Sequence, residues 1–227
     1  MAVILNMETS TTVCSVAIGV DGEVKSLKEI NDGYSHAEQL EILISEVLKE
    51  SDVSISNLDA ISVSKGPGSY TGLRIGVSFA KGLCFGKNLP LISIPTLESM
   101  AVNTKVQKFN GFKVPMLDAR RMEVFTCTFG LNHELLEETN ALVLDETSYS
   151  NLLKKGSTLF FGPGMEKSKS LLAIHKNAQF LDGVMPSAAY MVKLSEKKFK
   201  QRNFENVAYF EPYYLKDFVA GRPKKLL

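Results

Sequence analysis

The chain has 227 residues, 44% of them hydrophobic and 22% charged, which is ample for one large domain or two small ones. Its 26 Lys and Arg nearly cancel 25 Asp and Glu, leaving a formal net charge of +1. That balance argues against a protein that grips nucleic acid alone by neutralising phosphates. No run of about 18 apolar residues is present to span a membrane. The opening MAVILNMETS lacks the basic n-region of a signal peptide, so a cytoplasmic protein with no membrane partner is expected. Cys14, Cys84 and Cys127 are far apart in apolar stretches, which fits buried reduced thiols rather than a disulfide or metal framework.

VILNM, ETST and TVCSVAI read as a strand, a turn and a strand, and Asp21-Gly22 makes a hairpin turn into EVKSLKEI. Ser35 with Glu38 forms a capping box, after which Leu40, Leu43, Ile44 and Val47 recur at helical spacing. DAISVS is a short buried strand ending in the sharp turn KGPGS, followed by a second helix, TGLRIGVSFAKGLCFGK. The strand LPLISI comes next, with Thr96 capping LESMAV. The order β-β-β-α-β-α-β-α over residues 1–104 is a complete α/β layer structure. The polar stretch KVQKFNG marks a boundary, after which residues 105–185 partly restart the pattern as a smaller C-terminal domain. There FKVPMLDAR and MEVFTCTFG are strand-like, HELLEETNALVL follows, and STLFFGPG again delivers a strand into a glycine turn. A closing helix within residues 186–206 carries Ala189, Val192 and Phe199 on one face and is expected to pack back on the first domain, leaving residues 207–227 as a tail.

SKGPGSYTGLRIGVSFAKG, residues 64–82, is the most informative segment. It contains no Walker Gly-x4-Gly-Lys-Ser/Thr, it misses GxGxxG because Thr71 stands where the third glycine belongs, and it has no Gly-x-Ser-x-Gly elbow. A helix start after such a turn leaves two readings, a cradle for an anion or a structural turn. Gly72, Gly76 and Ala80 lie four apart, and an interior helical glycine costs roughly 1 kcal/mol relative to alanine. Another backbone therefore comes close, either the protein's own sheet or a helix of a second chain, with Arg74 and Ser78 at the edge.

GPGSYTGLRIG, together with METSTTVCSVAI, YSHAEQL and MLDARRMEVF in that order, closely resembles the TsaB (YeaZ) family over essentially the whole chain, most strongly in the first 125 residues. The resemblance implies an α/β actin-like ATPase fold (ASKHA, ribonuclease H-like) of two related domains, the second reduced. It implies a non-catalytic subunit of the tRNA N6-threonylcarbamoyladenosine machinery that pairs with TsaD, the catalytic relative. A TsaE-type ATPase joins that assembly, a homodimer uses the same surface, and tRNA is engaged indirectly. No cofactor is then bound tightly by this chain alone, and ATP or ADP belongs at the interface with the partner. Two helices, at about residues 35–50 and 71–87, are implied to carry the partner interface: His36, Leu40, Leu43, Val47, Gly72, Arg74, Gly76, Ser78 and Ala80.

TsaD binds a metal through a His-x-x-x-His pair on one helix face. Here His36 is followed four residues later by Leu40, so the pair is broken and no catalytic or metal-binding residue is expected; His133 and His175 stand isolated among polar neighbours. Actin-like kinases place an aspartate in the first hairpin turn, where this chain has Glu8, Thr9, Ser10 and Thr11. Those groups, with Asp118 and Arg120 after a strand of the second domain, either edge a nucleotide or satisfy a turn and a solvated strand end. Lys193, Lys197, Lys198, Lys200 and Arg202, with Arg222, Lys224 and Lys225, read as a solvated helix end or as a patch facing RNA or a partner. The alternative function is an actin-like kinase or ATPase that binds ATP in its own cleft.

Overall fold

The structure, a computed structural model, describes residues 1–31 and 36–216. Ser35, on which the capping box rested, and the tail cations Arg222, Lys224 and Lys225 lie outside the described residues.

Strands β1 (Val3–Glu8), β2 (Cys14–Val20) and β3 (Glu23–Ile30) form an antiparallel meander. The β2–β3 turn works because Asp21 and Gly22 both take positive φ, 52° and 79°, which matches the twist of the flanking strands. Helix α1 (His36–Ser51) leads to β4 (Ala60–Gly66), and α2 (Tyr70–Lys87) leads to β5 (Leu91–Pro95), both strands running parallel to their neighbours. The sheet order is β3-β2-β1-β4-β5. Alternate side chains of β1 face opposite ways. Leu5 and Met7 pack under α1 and α2 with Leu40, Leu43, Ile44 and Val47, each worth about 2 kcal/mol of apolar burial. Ile4 faces the other side, where α7 (Ala188–Lys200) closes over it with Met191. Gly19 of β2 lets α7 come that near, since a Cβ there would sit 2.7 Å from Val192 Cγ1.

Short helices α3 (Thr96–Ala101) and α4 (Thr104–Gln107) connect to the second sheet. Thr96 is the first helical residue of α3 rather than its cap, since Pro95 precedes the helix and no side chain caps it. Strands β6 (Phe112–Asp118), β7 (Glu123–Phe129) and β8 (Leu135–Val143) form another meander, and α5 (Ser150–Lys155), β9 (Thr158–Phe161), α6 (Glu166–Leu172) and β10 (Ala178–Leu181) complete it. The order β10-β9-β6-β7-β8 is that of the first sheet, strand for strand. The reduction lies in the helices: α5 and α6 have 6 and 7 residues where α1 and α2 have 16 and 18.

Candidate functional site

The two glycine turns and the strand ends they touch occupy the same place in each sheet. Gly66 ends β4 with φ 108°, and Gly162 follows β9 with φ 104°, a region where a side chain is strained. Beyond it the chain crosses the end of the first strand of its sheet at backbone distance. A Cβ on Gly68 would lie 2.4 Å from the Ser10 carbonyl oxygen, and one on Gly164 would lie 2.6 Å from the Leu117 carbonyl carbon.

In the first sheet this contact continues along α2. Ser69 caps the helix by accepting from Gly72 N at 3.2 Å, and its own N–H donates to Ser10 O at 2.6 Å. Thr9 Oγ1 donates to Gly72 O at 2.8 Å. A Cβ on Gly72 would lie 2.1 Å from Thr9 O, and one on Gly76 would lie 2.3 Å from Thr9 Oγ1. The glycine stripe therefore receives the protein's own ETST turn, and the two motifs that stand out in the sequence form one packed unit. The structural reading of the turn accounts for the capped helix start.

Glu8 lies at the centre of that unit with no solvent exposure. Its Oε1 accepts from Ser10 N at 2.6 Å and from Ser64 Oγ at 3.0 Å, while Oε2 has no partner among the described residues. Burial pushes its carboxyl above the usual range, more strongly than these hydrogen bonds pull it down. Thr9 and Ser10 are also buried and Thr11 is half-buried, so of the four expected nucleotide-edge residues in this turn only Thr11 reaches the surface.

The expected partner interface needs correction. Leu40, Leu43, Val47 and Ala80 belong to the core under the first sheet, and Gly72 and Gly76 are covered by Thr9. His36 is buried, with Nε2 2.7 Å from Thr11 O. A helical stripe that packs on its own sheet cannot also meet a second chain, so of the nine residues expected only Arg74 and Ser78 are exposed. The outward faces are different ones. On α1 they carry Glu38, Glu41, Ile42, Ser45 and Glu46, and on α2 Thr71, Arg74, Ser78, Gly82 and Phe85. Ile42 is 50% exposed and Phe85 87%. Gly82 and Gly86 would meet nothing within 4 Å if they bore a Cβ. Sequence spacing missed Phe85 because it follows the core stripe by one position, as Cys84 is buried.

In the second sheet Asp118 ends β6 at the surface, paired with Lys167 Nζ at 2.7 Å. It accepts from Arg120 N at 2.6 Å and so shapes the β6–β7 turn. Lys167 also donates to the carbonyls of Arg121 at 2.7 Å and Glu123 at 2.9 Å. Asp118 and Arg120 are thus together, in one turn, on the other sheet from Glu8.

Most of the basic cluster on α7 is internally committed. Lys198 donates to Ser93 O at 2.7 Å, and burial lowers the pKa of its amine; Lys200 pairs with Glu196 at 3.1 Å. Lys193 stands 3.7 Å from Glu23. The three cysteines are free and buried, and burial pushes the Cys84 thiol up to about 12. His133 is exposed and His175 half-buried, and the described residues contain no group of three His, Cys, Asp or Glu side chains placed to hold a metal. No described helix is long and apolar enough to cross a membrane.

Two sheets of identical strand order, each with a glycine turn crossing its first strand, make this an α/β protein of the actin-like ATPase fold. Similar solved structures agree with that architecture. YeaZ from Pseudomonas aeruginosa superposes with a TM-score of 0.77 at 23% identity, covering 95% of this chain and all, 100%, of that one. Component A of the Acidaminococcus fermentans (R)-2-hydroxyglutaryl-CoA dehydratase shares the fold at TM-score 0.52 and 9% identity, over 89% of this chain and 100% of that one. A family profile described as TsaD, tRNA N6-adenosine threonylcarbamoyltransferase, matches residues 33–209. The chain belongs to this family, in its TsaB (YeaZ) branch. Among its relatives, the tRNA threonylcarbamoyladenosine biosynthesis protein TsaB of Haemophilus influenzae is 29% identical over 96% of this chain and 95% of its own length. TsaB of Escherichia coli is also 29% identical, over 96% of each.

Proposed function

We propose that this chain is a non-catalytic, cytoplasmic subunit of the tRNA N6-threonylcarbamoyladenosine machinery that binds a TsaD-type catalytic subunit through the outward faces of α1 and α2. The observation that carries the reading is the pair of outward faces. Ile42 and Phe85 are large apolar groups left in solvent, flanked by Glu38, Glu41 and Glu46 on one helix and Arg74 on the other. Exposed apolar groups framed by opposite charges suit a specific protein contact. The residue four after His36 is Leu40, a core side chain, so the metal-binding pair of the catalytic relative has no counterpart. A homodimer through the same faces, a further TsaE-type ATPase, and ATP or ADP at the partner interface belong to the same reading. With a net charge of +1, most of the hold on tRNA falls to the other subunits.

Co-expression with the TsaD homologue of the source cell tests this. The two proteins are expected to co-elute, and threonylcarbamoyl transfer to tRNA is expected only when both are present. Ile42→Asp with Phe85→Asp should weaken association at least tenfold while the free chain stays folded. Undiminished association would remove these faces from the interface. Calorimetry with Mg-ATP on the isolated chain separates the kinase alternative, for which tight stoichiometric binding is required.

A further inference from the structure

We propose that the surface joining the start of α2 to the β6–β7 turn is a contact site for single-stranded RNA, in which tyrosine rings stack a base and Arg120 and Arg121 hold the adjoining phosphates. The choice of RNA over another polyanion rests on the function proposed above; the site rests on its own geometry.

At one end is an aromatic and cationic stack. The Tyr70 and Tyr214 rings lie 4.8 Å apart, and the Arg74 guanidinium sits over Tyr70 at 5.1 Å with Nη1 3.1 Å from the Tyr70 hydroxyl. Tyr213 and Tyr214 are 43% and 37% exposed, so both residues are partly in solvent. Aromatic faces beside arginine planes are what unpaired bases stack on, largely regardless of sequence.

At the other end is the β6–β7 turn. Arg120 and Arg121 both take positive φ, 69° and 47°, a region that glycine or asparagine occupies far more readily than arginine. Both side chains are exposed, and neither guanidinium has an ion pair or hydrogen bond among the described residues. The backbone beneath them is fixed by Lys167, which ties Asp118, Arg121 and Glu123 together. Asp118 is thereby neutralised and does not oppose an incoming anion. The hairpin turn accounts for the positive φ; what it leaves over is two uncommitted cations presented side by side on a fixed base, which suit an anionic ligand.

The segment 213–216 joins the two ends. Tyr213 N donates to Lys65 O at 2.7 Å beside the glycine turn, Leu215 packs on the second sheet's core, and Lys216 pairs with Glu123 at the turn. Tyr214 and Lys216 are two residues apart, at most about 7 Å of chain. Glu123, like Asp118, is neutralised by a lysine. Arg74, Arg120 and Arg121 therefore outnumber Glu211, the exposed acid near Tyr214, and set the sign of this surface, although the whole chain is nearly neutral.

The test uses the full chain and a fluorescein-labelled single-stranded oligoribonucleotide, read by anisotropy across a salt series. Binding is expected at low salt, with log K falling against log salt by about 2 if three phosphates are neutralised. The double variant Arg120→Asn/Arg121→Asn keeps the turn, because asparagine accepts positive φ. It should lose at least tenfold in affinity and flatten the salt slope. Tyr214→Ala should lose roughly tenfold without changing that slope. Ultraviolet cross-linking should map to peptides containing Tyr70, Tyr213 or Tyr214. Absence of salt-dependent binding, or unchanged binding by the double arginine variant, overturns the proposal. If the double variant instead loses the TsaD homologue and wild type shows no RNA binding, the surface belongs to a protein contact. Failure of wild type to bind that homologue, with these RNA effects intact, would count against the subunit assignment and leave the RNA site standing.

Discussion

The two halves of this molecule share a strand order and a glycine turn but use them differently. In the first half the residue closing β1 is Glu8, which is buried, held by Ser10 and Ser64, and carries one oxygen without a partner. In the second half the residue closing β6 is Asp118, which is exposed and paired with Lys167. The helix after the turn explains the difference. Gly72 and Gly76 in the first two turns of α2 let it lie directly on the Thr9 turn and seal it, whereas α6, with the sequence EKSKSLL, has no glycine there and reaches the corresponding turn through the long side chain of Lys167. The same framework therefore makes a closed polar unit in one half and an open, charged turn in the other.

The largest expected effect tests the seal. Gly72→Val should destabilise the chain by about 3 kcal/mol, measured as a lower urea midpoint at unchanged slope, because the Thr9 carbonyl has no room to move. Gly164→Val in the second half should show a comparable loss. A far smaller one would mean that the two turns are alike in outline only.

Next in size is a pH effect confined to the first half. Below the ordinary carboxylate value of 4.5 Glu8 is protonated in both the folded and unfolded chain, so its contribution to stability is then complete. As pH rises from there towards the raised folded value, the unfolded chain ionises first. Stability then falls by at most about 1.4 kcal/mol per pH unit. Urea titrations at several pH values should show that fall in wild type and not in Glu8→Gln, whereas Asp118→Asn should leave it in place. Equal slopes in wild type and Glu8→Gln would show that the carboxyl is ionised in the fold.

The smallest effect separates the two kinds of glycine on α2. Gly82→Ala has open space around it and should stabilise by about 0.5–1 kcal/mol, read as a higher melting temperature. Gly76→Ala, with Thr9 Oγ1 at 2.3 Å from the new carbon, should do the opposite.

Hydrophobic patterning revealed the first sheet and its helices because Leu40, Leu43, Ile44 and Val47 repeat with helical period and VILNM is a short apolar run buried on both faces of the sheet. The short α5, α6 and β10 gave no such signal, since elements of 4 to 7 residues are too brief to establish a period. The motifs were found correctly as residues, but whether they face inward or outward was left open. A glycine row shows that something approaches closely, yet the sequence cannot tell a partner's helix from the protein's own turn, and here it was Thr9. Arg120 and Arg121 were visible as charges, while their left-handed backbone came only from the structure. Tyr214 and Phe85 were missed because a single aromatic carries no spacing.

Helix α7 comes after the second half in the chain but covers the first. Its Met191, Val192 and Ala188 close over Ile4, Ala17 and Ile94. As the protein is synthesised, that side of the first sheet stays bare until the whole second half has left the ribosome. The half made first is therefore finished last. During translation, chaperones that shield apolar surface have most reason to hold the nascent chain between the appearance of β5 and that of α7.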